Sequence, residues 1–457
     1  MDLDRGKRGR PVTGQVPGGR NLAAQTRGPR PRIARHALAA GVVAVYLLAA
    51  AVVVAAHHVV PVPQWLALHL LVLGAASNAV FVWSRHFTQA LLHVRPGSER
   101  AAQVRLAVLN AGTIAVLAGV TASWPPLAAA GAALVVAAVV AHVASLVAMA
   151  RSGALGGQLG IVAWYYVAAG AALAAGGTLG GLLVAGWVQS PELGTALVLA
   201  HAHLNLLGWL GLAILGTQFT LWPTVLRTRM SADVARVARW VLAITVCGLA
   251  VTVGALLATP YLGLAHWLAA AGMTAYAAGA MWALVPAVRE MRARPPRSAP
   301  AWALLAGSGW LLAAIAADVA GLAAGTGSAG RVLDHLLVPV VGAGVVGQIL
   351  TGALTFLLPV TVGGGPAGNR RLTAILETGW RSRAVLGNAG VLALAVLPAH
   401  GAWRTASWAA VLTGFGSFPL LMAAALATAR GSARQRALLL PVAAEAADRS
   451  PEPRDRQ

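Results

Sequence analysis

Residues 36–60 read HALAAGVVAVYLLAAAVVVAAHHVV, with no aspartate, glutamate, lysine or arginine anywhere in the run. About 20 consecutive apolar residues in an α-helix are enough to cross the hydrocarbon core of a bilayer. The run therefore predicts a membrane-spanning helix. It is not typical of a cleavable signal, because its apolar part is too long and His57-His58 is no small-residue cleavage site.

Further apolar runs of this kind fill most of the chain. Of the 457 residues, 58% are apolar and 10% are charged, against roughly 25% charged residues in a soluble domain. We therefore predict an all-α, polytopic membrane helix bundle of about twelve transmembrane helices over residues 36–428. Residues 1–35 and 429–457 are expected to be disordered cytoplasmic tails. The runs lie near 36–60, 65–92, 101–122, 126–150, 159–187, 195–222, 237–258, 261–288, 301–324, 331–360, 384–398 and 404–428.

Arginine alternates between the loops that join these runs. Every second loop is basic and the intervening turns are nearly uncharged, so the positive-inside rule predicts that both termini are cytoplasmic. The net charge of +21 indicates contact with anionic headgroups, and nothing in the chain is typical of nucleic-acid binding. The single cysteine, Cys247, excludes disulfides and cysteine-based metal centres within this chain.

Histidines cluster at the outer ends of several predicted helices. With this orientation they lie about four to eight residues below the outer edge, a spread of only a few ångströms in depth at 1.5 Å per residue. One residue type at one depth on separate helices is what a metal or haem site inside a bundle requires. The alternative for any single one is an interfacial histidine that contacts headgroups. The residues are His57, His58, His69, His201, His203, His266 and His335.

The densest polar stretch is His201-Ala-His203-Leu-Asn205. Two residues apart on an α-helix, the two histidines point in different directions and should serve different partners. Asn205 shares a face with His201 and could orient its ring. The nearby Gly208 and Gly211 allow close approach of a flat macrocycle or, equally, of a neighbouring helix.

Carboxylates are almost absent from the predicted spans. Asp318 is the only one placed within a helix, which argues against a proton pump or a proton-coupled transporter. Asp334-His335 could form a carboxylate–imidazole pair at the outer end of the tenth helix. The candidate haem ligands are His69, His201, His203 and His335, the candidate metal ligands are His201, His203 and His266, and the candidate orienting residues are Asn205 and Asp334.

With twelve helices, both ends inside and histidines at the outer level of helices 2, 6 and 10, the chain resembles subunit I of the haem–copper oxidases, a superfamily that includes the nitric oxide reductases, and the twelve-helix NnrS proteins. Three local stretches, His69 to Phe87, His201 to Gly211 and Trp222 to Arg229, carry a second resemblance. They are similar to membrane modules of high-GC Gram-positive bacteria, some of which are joined to copper-nitrite-reductase-like cupredoxin domains. The resemblance implies a bacterial plasma membrane protein that holds haem, copper or both.

In the oxidases the second helix supplies a haem ligand, which would be His69, and the sixth supplies a copper ligand, which would be His201 or His203. The chain departs from that pattern because the run at 237–258 has no histidine and the run at 331–360 has only His335. We expect electron transfer, or copper or nitric oxide handling, with a periplasmic cupredoxin or multicopper oxidase as the candidate partner. The alternatives are a transporter or channel with a histidine-lined vestibule, and a non-catalytic membrane anchor for a multicopper oxidase.

Overall fold

The computed structural model describes residues 29–95, 97–153, 158–398 and 401–432. Residues 1–28 and 433–457, which make up most of the two predicted tails, lie outside these ranges, as does His400. Long α-helices dominate the described part of the chain. They are α1 (Pro29–Ala55), α2 (Pro63–Leu92), α3 (Glu99–Thr121), α4 (Pro125–Ser152), α5 (Ile161–Val184), α6 (Pro191–Leu226), α7 (Val234–Ala258), α8 (Ala265–Ala293), α9 (Ala299–Ala323), α10 (326–362), α11 (Pro366–Leu376), α12 (Trp380–Val396) and α13 (Ala402–Ser432).

Eleven of these helices are long and apolar enough to cross a bilayer, namely α1 to α10 and α13. The protein is therefore a multi-pass membrane helix bundle, as predicted. The apolar run expected at 384–398 forms α12, which has only 17 residues and is at the short limit for a crossing. At its beginning α1 extends to Pro29, upstream of the predicted boundary at residue 36.

Neighbouring helices pack through small residues. Between α7 and α8, a Cβ atom added to Gly248 would lie 2.6 Å from the carbonyl oxygen of Gly272, and one added to Gly272 would lie 2.7 Å from the carbonyl oxygen of Gly248. Only glycine permits backbones to approach this closely, which is the usual means of helix association in lipid. The sequence of α7 and α8 therefore fixes where they cross.

Helix α6 lies at the centre of the bundle and is buried over most of its length. Trp209, one of its largest side chains, is 1% exposed and donates from Nε1 to the Ser77 hydroxyl of α2 at 3.0 Å. Tyr276 of α8 donates to the Leu207 carbonyl at 2.9 Å. These hydrogen bonds tie α6 to helices on both sides of it.

Three of the central helices contain π-helical turns, in which the backbone bonds to the fifth residue along. They occupy Leu70–Ala76 of α2, Leu204–Gly211 of α6, and Leu333–Leu337 and Val340–Gly347 of α10. The π turns of α2 pack against Val340–Gly347. Such turns are rare and occur frequently at functional sites. The wider turns need extra partners for their carbonyls, and Ser77 supplies one by donating to the Val72 carbonyl at 2.9 Å.

Candidate functional site

His69 and His201 lie close together in the bundle, although 132 positions separate them in the sequence. Their ring centroids are 6.4 Å apart and the ring planes differ by 21°. His69 directly precedes the π turns of α2, and His201 lies three residues before those of α6. Both rings are half-buried. Helices α2 and α6 thus present two nearly parallel imidazoles to each other.

The His69 ring is held by its own helix. Its Nδ1 is 2.8 Å from the Trp65 carbonyl oxygen, and the ring stacks on the Trp65 indole with centroids 4.0 Å apart. Four residues apart on a helix, these two side chains share one face. A carbonyl oxygen can only accept, so Nδ1 carries the proton. In the neutral ring, Nε2 is then left with its lone pair free.

The His201 ring rests on the backbone of α5. Its Nδ1 is 2.8 Å from the Gly176 carbonyl oxygen, so the proton again lies on Nδ1 and the lone pair on Nε2. A Cβ atom added to Gly180 would lie 2.7 Å from Cε1 of His201, so the ring occupies space that any other residue at position 180 would fill. Gly176 and Gly180 of α5 therefore form the surface against which the His201 ring packs.

Asn205 lies beside the His201 ring, where the sequence predicted it. Its Nδ2 donates to the His201 carbonyl at 2.7 Å and approaches Nδ1 of the ring at 3.2 Å. Because that Nδ1 already donates its proton to Gly176, the second approach is a packing contact and not a hydrogen bond. The Asn205 side chain also packs against Gly176 of α5, where an added Cβ atom would lie 2.6 Å from its Nδ2, so it limits rotation of the ring from the α5 side.

The separation of the two ring centroids matches that of two imidazoles bound to one metal ion. A metal–nitrogen bond of about 2.0–2.1 Å plus a ring radius of about 1 Å on each side puts the centroids of two opposed imidazoles about 6 Å apart. The observed separation is 6.4 Å. Within the described ranges, no three histidine, cysteine, aspartate or glutamate side chains group closely enough to hold a metal ion. The site offers a pair of nitrogen ligands, and any further ligands must come from the bound group itself.

His203 faces away from this pair and bonds to Asp318 of α9. Nε2 of His203 is 2.8 Å from Oδ2 of Asp318, and its Nδ1 is 2.7 Å from the Leu199 carbonyl oxygen. The side chains are 3% and 2% exposed. Both ring nitrogens are therefore engaged within the protein, and His203 links α6 to α9 inside the bundle.

The remaining candidate ligands are spread over the outer surface. His335 and Asp334 are exposed, and the Asp334 backbone carbonyl accepts a hydrogen bond from Gln64 at 2.9 Å. His266 hydrogen-bonds the Gly263 carbonyl of its own chain segment at 2.8 Å. The candidate metal ligands His201, His203 and His266 form no three-ligand group in the described part of the chain.

Gly208 and Gly211 serve helix packing. A Cβ atom at Gly208 would lie 2.6 Å from the Ala172 side chain, and one at Gly211 would lie 2.5 Å from the Tyr276 hydroxyl. Of the two roles left open by the sequence, the neighbouring helix accounts for both glycines.

Sequence reasoning missed the residues that hold the two rings. Trp65 stands four positions before His69, a spacing that would have indicated the stack. Gly176 and Gly180 belong to the stretch Gly-Gly-Thr-Leu-Gly-Gly, in which small residues four apart signal a close helix contact. The partner of that contact could not be read from the stretch itself.

No protein-family model matches this chain, and no curated protein is detectably similar to it in sequence. A function for this protein must therefore be proposed from the geometry and chemistry of the site itself.

Proposed function

We propose that the protein is a membrane haem protein for electron transfer, in which His69 and His201 are the two axial ligands of one haem. The observation that carries the proposal is the pair of nearly parallel imidazoles 6.4 Å apart, each with Nδ1 hydrogen-bonded to a carbonyl. This tautomer is the one that presents Nε2 to a metal, and hydrogen bonding at the other nitrogen is the usual support of a ligating histidine.

Haem fits this pair better than a bare metal ion does. Zinc and copper sites in proteins are ordinarily built from three or four side chains, and the described residues hold no such group. A porphyrin brings four nitrogens of its own, so its iron needs only axial ligands from the protein. Two histidines on separate helices meet that requirement.

Two histidine ligands also favour electron transfer over gas binding. A haem held by both His69 and His201 would have no iron position left for oxygen or nitric oxide, and it would supply reversible one-electron chemistry. The rings are held in place by Trp65, Gly176 and Asn205, and the His203–Asp318 pair fastens α6 to α9 just behind the site. Ligands that do not move on reduction suit this role.

The distribution of arginine residues adds an orientation in the membrane to the proposal. Arg381 and Arg383 lie at the start of α12 and Arg430 at the end of α13, so the positive-inside rule puts both on the cytoplasmic side. With α12 as a short twelfth crossing, both termini are cytoplasmic and the histidine pair faces outward in a bacterial plasma membrane. A periplasmic cupredoxin or multicopper oxidase, as the resemblance suggests, would exchange electrons at that outer end.

The test is an absorption spectrum of the detergent-purified protein, oxidised and dithionite-reduced, with iron and copper measured on the same sample. We expect a Soret band and one iron per chain. His69→Ala and His201→Ala should each abolish the band, whereas the matched controls His266→Ala and His335→Ala should retain it. Circular dichroism and gel filtration check that the four variants fold alike.

Electron paramagnetic resonance of the ferric protein tests the geometry directly. Ring planes that differ by 21° should give a rhombic low-spin signal and not the highly anisotropic one of perpendicular imidazoles. If the sample contained copper and no iron, the site would be assigned to copper handling and not to haem binding. A protein with neither metal would overturn the proposal and favour the histidine-lined vestibule of a transporter.

A further inference from the structure

A large groove opens on the opposite, arginine-rich side of the bundle. Its volume is about 1740 Å³, and its walls come from α1, α2, α3 and α13, with His142 of α4 at the back. Helix α3 packs on α4, and α1 packs on α2, so the groove lies between these two helix pairs. Its polar end is distant from the histidine pair, since His86 stands 17 positions after His69, about 25 Å along a helix, whereas its apolar end reaches Leu66 and Leu70 of α2.

The walls of the groove are apolar over most of its length. Leu38, Val45, Ile114 and Leu420 line it and are 66%, 66%, 59% and 60% exposed. Along α3 it runs from Arg105 to Thr121, about 24 Å at 1.5 Å per residue. One leaflet contributes about 15 Å of hydrocarbon. An acyl chain that starts at Arg105 would therefore lie wholly inside the groove.

The other end of the groove is cationic. Four arginines line it, against the single carboxylate of Glu99, and they are Arg35, Arg85, Arg105 and Arg430. Glu99 bonds to Arg85 at 2.8 Å and lies 3.9 Å from Arg35. The remaining positive charge therefore has no counter-charge on the walls of the groove.

Two donors at this end have no hydrogen-bond partner among the residues that the structure describes. Nε of Arg105 and Nε2 of Gln89 are buried and make no hydrogen bond, and both residues line the groove. Arg105 also bonds to Ser145 through Nη2 at 3.3 Å, which fixes the guanidinium in place. Buried donors are expensive to leave unpaired, and an anionic oxygen placed between them would satisfy both.

We propose that this groove binds an anionic glycerophospholipid, with its phosphate between Arg105 and Gln89 and its acyl chains along Leu38 and Ile114. The match rests on charge complementarity at one end and an apolar wall at the other. Anionic lipids are concentrated in the cytoplasmic leaflet, which is the side on which the arginines predict this end to lie.

Native mass spectrometry of the full chain, exchanged from phosphatidylglycerol or phosphatidylcholine nanodiscs, tests the proposal. We expect one phosphatidylglycerol to be retained through detergent washing, and at least tenfold less phosphatidylcholine. The double variant Arg105→Gln/Arg430→Gln should lose this retention. Arg239→Gln, an exposed arginine at the beginning of α7 outside the groove, is the matched control and should keep it.

A second variant tests the apolar wall without a change of charge. Ile114→Trp, on a side chain that faces the groove, should displace the lipid and leave the protein folded by circular dichroism. Equal retention of both lipids, or equal loss in Arg239→Gln, would overturn the proposal. Competition by millimolar inorganic phosphate would assign the site to a soluble anion, and a co-purified peptide in the groove would assign it to a protein partner.

Discussion

Replacing Asp318 of α9 by alanine should strongly destabilise the protein. The pair of Asp318 and His203 is 2% and 3% exposed and holds one proton between Oδ2 and Nε2, 2.8 Å apart. Nδ1 of His203 donates to the Leu199 carbonyl, and within the described residues Nε2 bonds to Asp318 alone. Removal of the carboxylate leaves that nitrogen unpaired inside the bundle.

The expected loss follows from that burial. Breaking a buried pair by removing one partner costs about 3–5 kcal/mol, of which about 1–3 kcal/mol is the unsatisfied polar group itself. Asp318→Asn should cost only about 1 kcal/mol, because the amide can donate to the unprotonated Nε2 and keep the hydrogen bond. The comparison between alanine and asparagine thus separates the lost hydrogen bond from the lost charge.

The assay is reversible unfolding in mixed micelles, followed by circular dichroism, for Asp318→Ala, His203→Ala and the double variant. Interhelical hydrogen bonds in membranes couple by about 0.6 kcal/mol on average, whereas this pair should couple by about 1.5–3 kcal/mol. A coupling below about 0.5 kcal/mol, or an Asp318→Ala protein as stable as the parent, would refute the reasoning.

The remaining predictions concern α5 and the loop before α7. Gly180→Ala should abolish haem binding, because the added Cβ would lie 2.7 Å from the ring of His201, while Gly181→Ala makes only an ordinary contact at 3.4 Å and should bind haem normally. The Ser231 hydroxyl and an arginine of α8 lower the pKa of Asp233. Its carboxylate therefore stabilises the protein above the unfolded pKa and loses that effect as pH falls. Chemical unfolding from pH 7 to pH 3 should show that the free energy of unfolding of the parent falls, by at most about 1 kcal/mol because the pair is partly exposed. The Asp233→Asn variant should lack this fall, and parallel pH curves for the two proteins would contradict the prediction.

Much of the fold could be predicted because the bilayer restricts the chain. Apolar length and arginine placement defined the helices closely, and eleven of the twelve expected runs became long apolar helices. A common depth also indicated that His69 and His201 lie at one level, and the structure brings them together. Whether that pair binds haem stays a prediction.

Lateral neighbours could not be predicted, since hydropathy gives the depth of a residue and not its direction. The partner of His203 is 115 positions away, on α9, and no pattern within α6 points to it. The π turns add a second difficulty, because each wider turn changes the helical phase of every residue that follows. The groove between α1 and α3 depends on how four helices are arranged. No local stretch of sequence predicts that arrangement.

The π turns of α6 also bear on how such a chain can change length during evolution. A single residue inserted into an α-helix is accommodated as a π bulge, and here Tyr276 donates to the Leu207 carbonyl within Leu204–Gly211. The bundle thus already contains the hydrogen-bond donor that an insertion requires. When relatives of this chain are aligned, single-residue gaps are to be expected in the middle of the membrane, at residues 204–211, as well as in the loops.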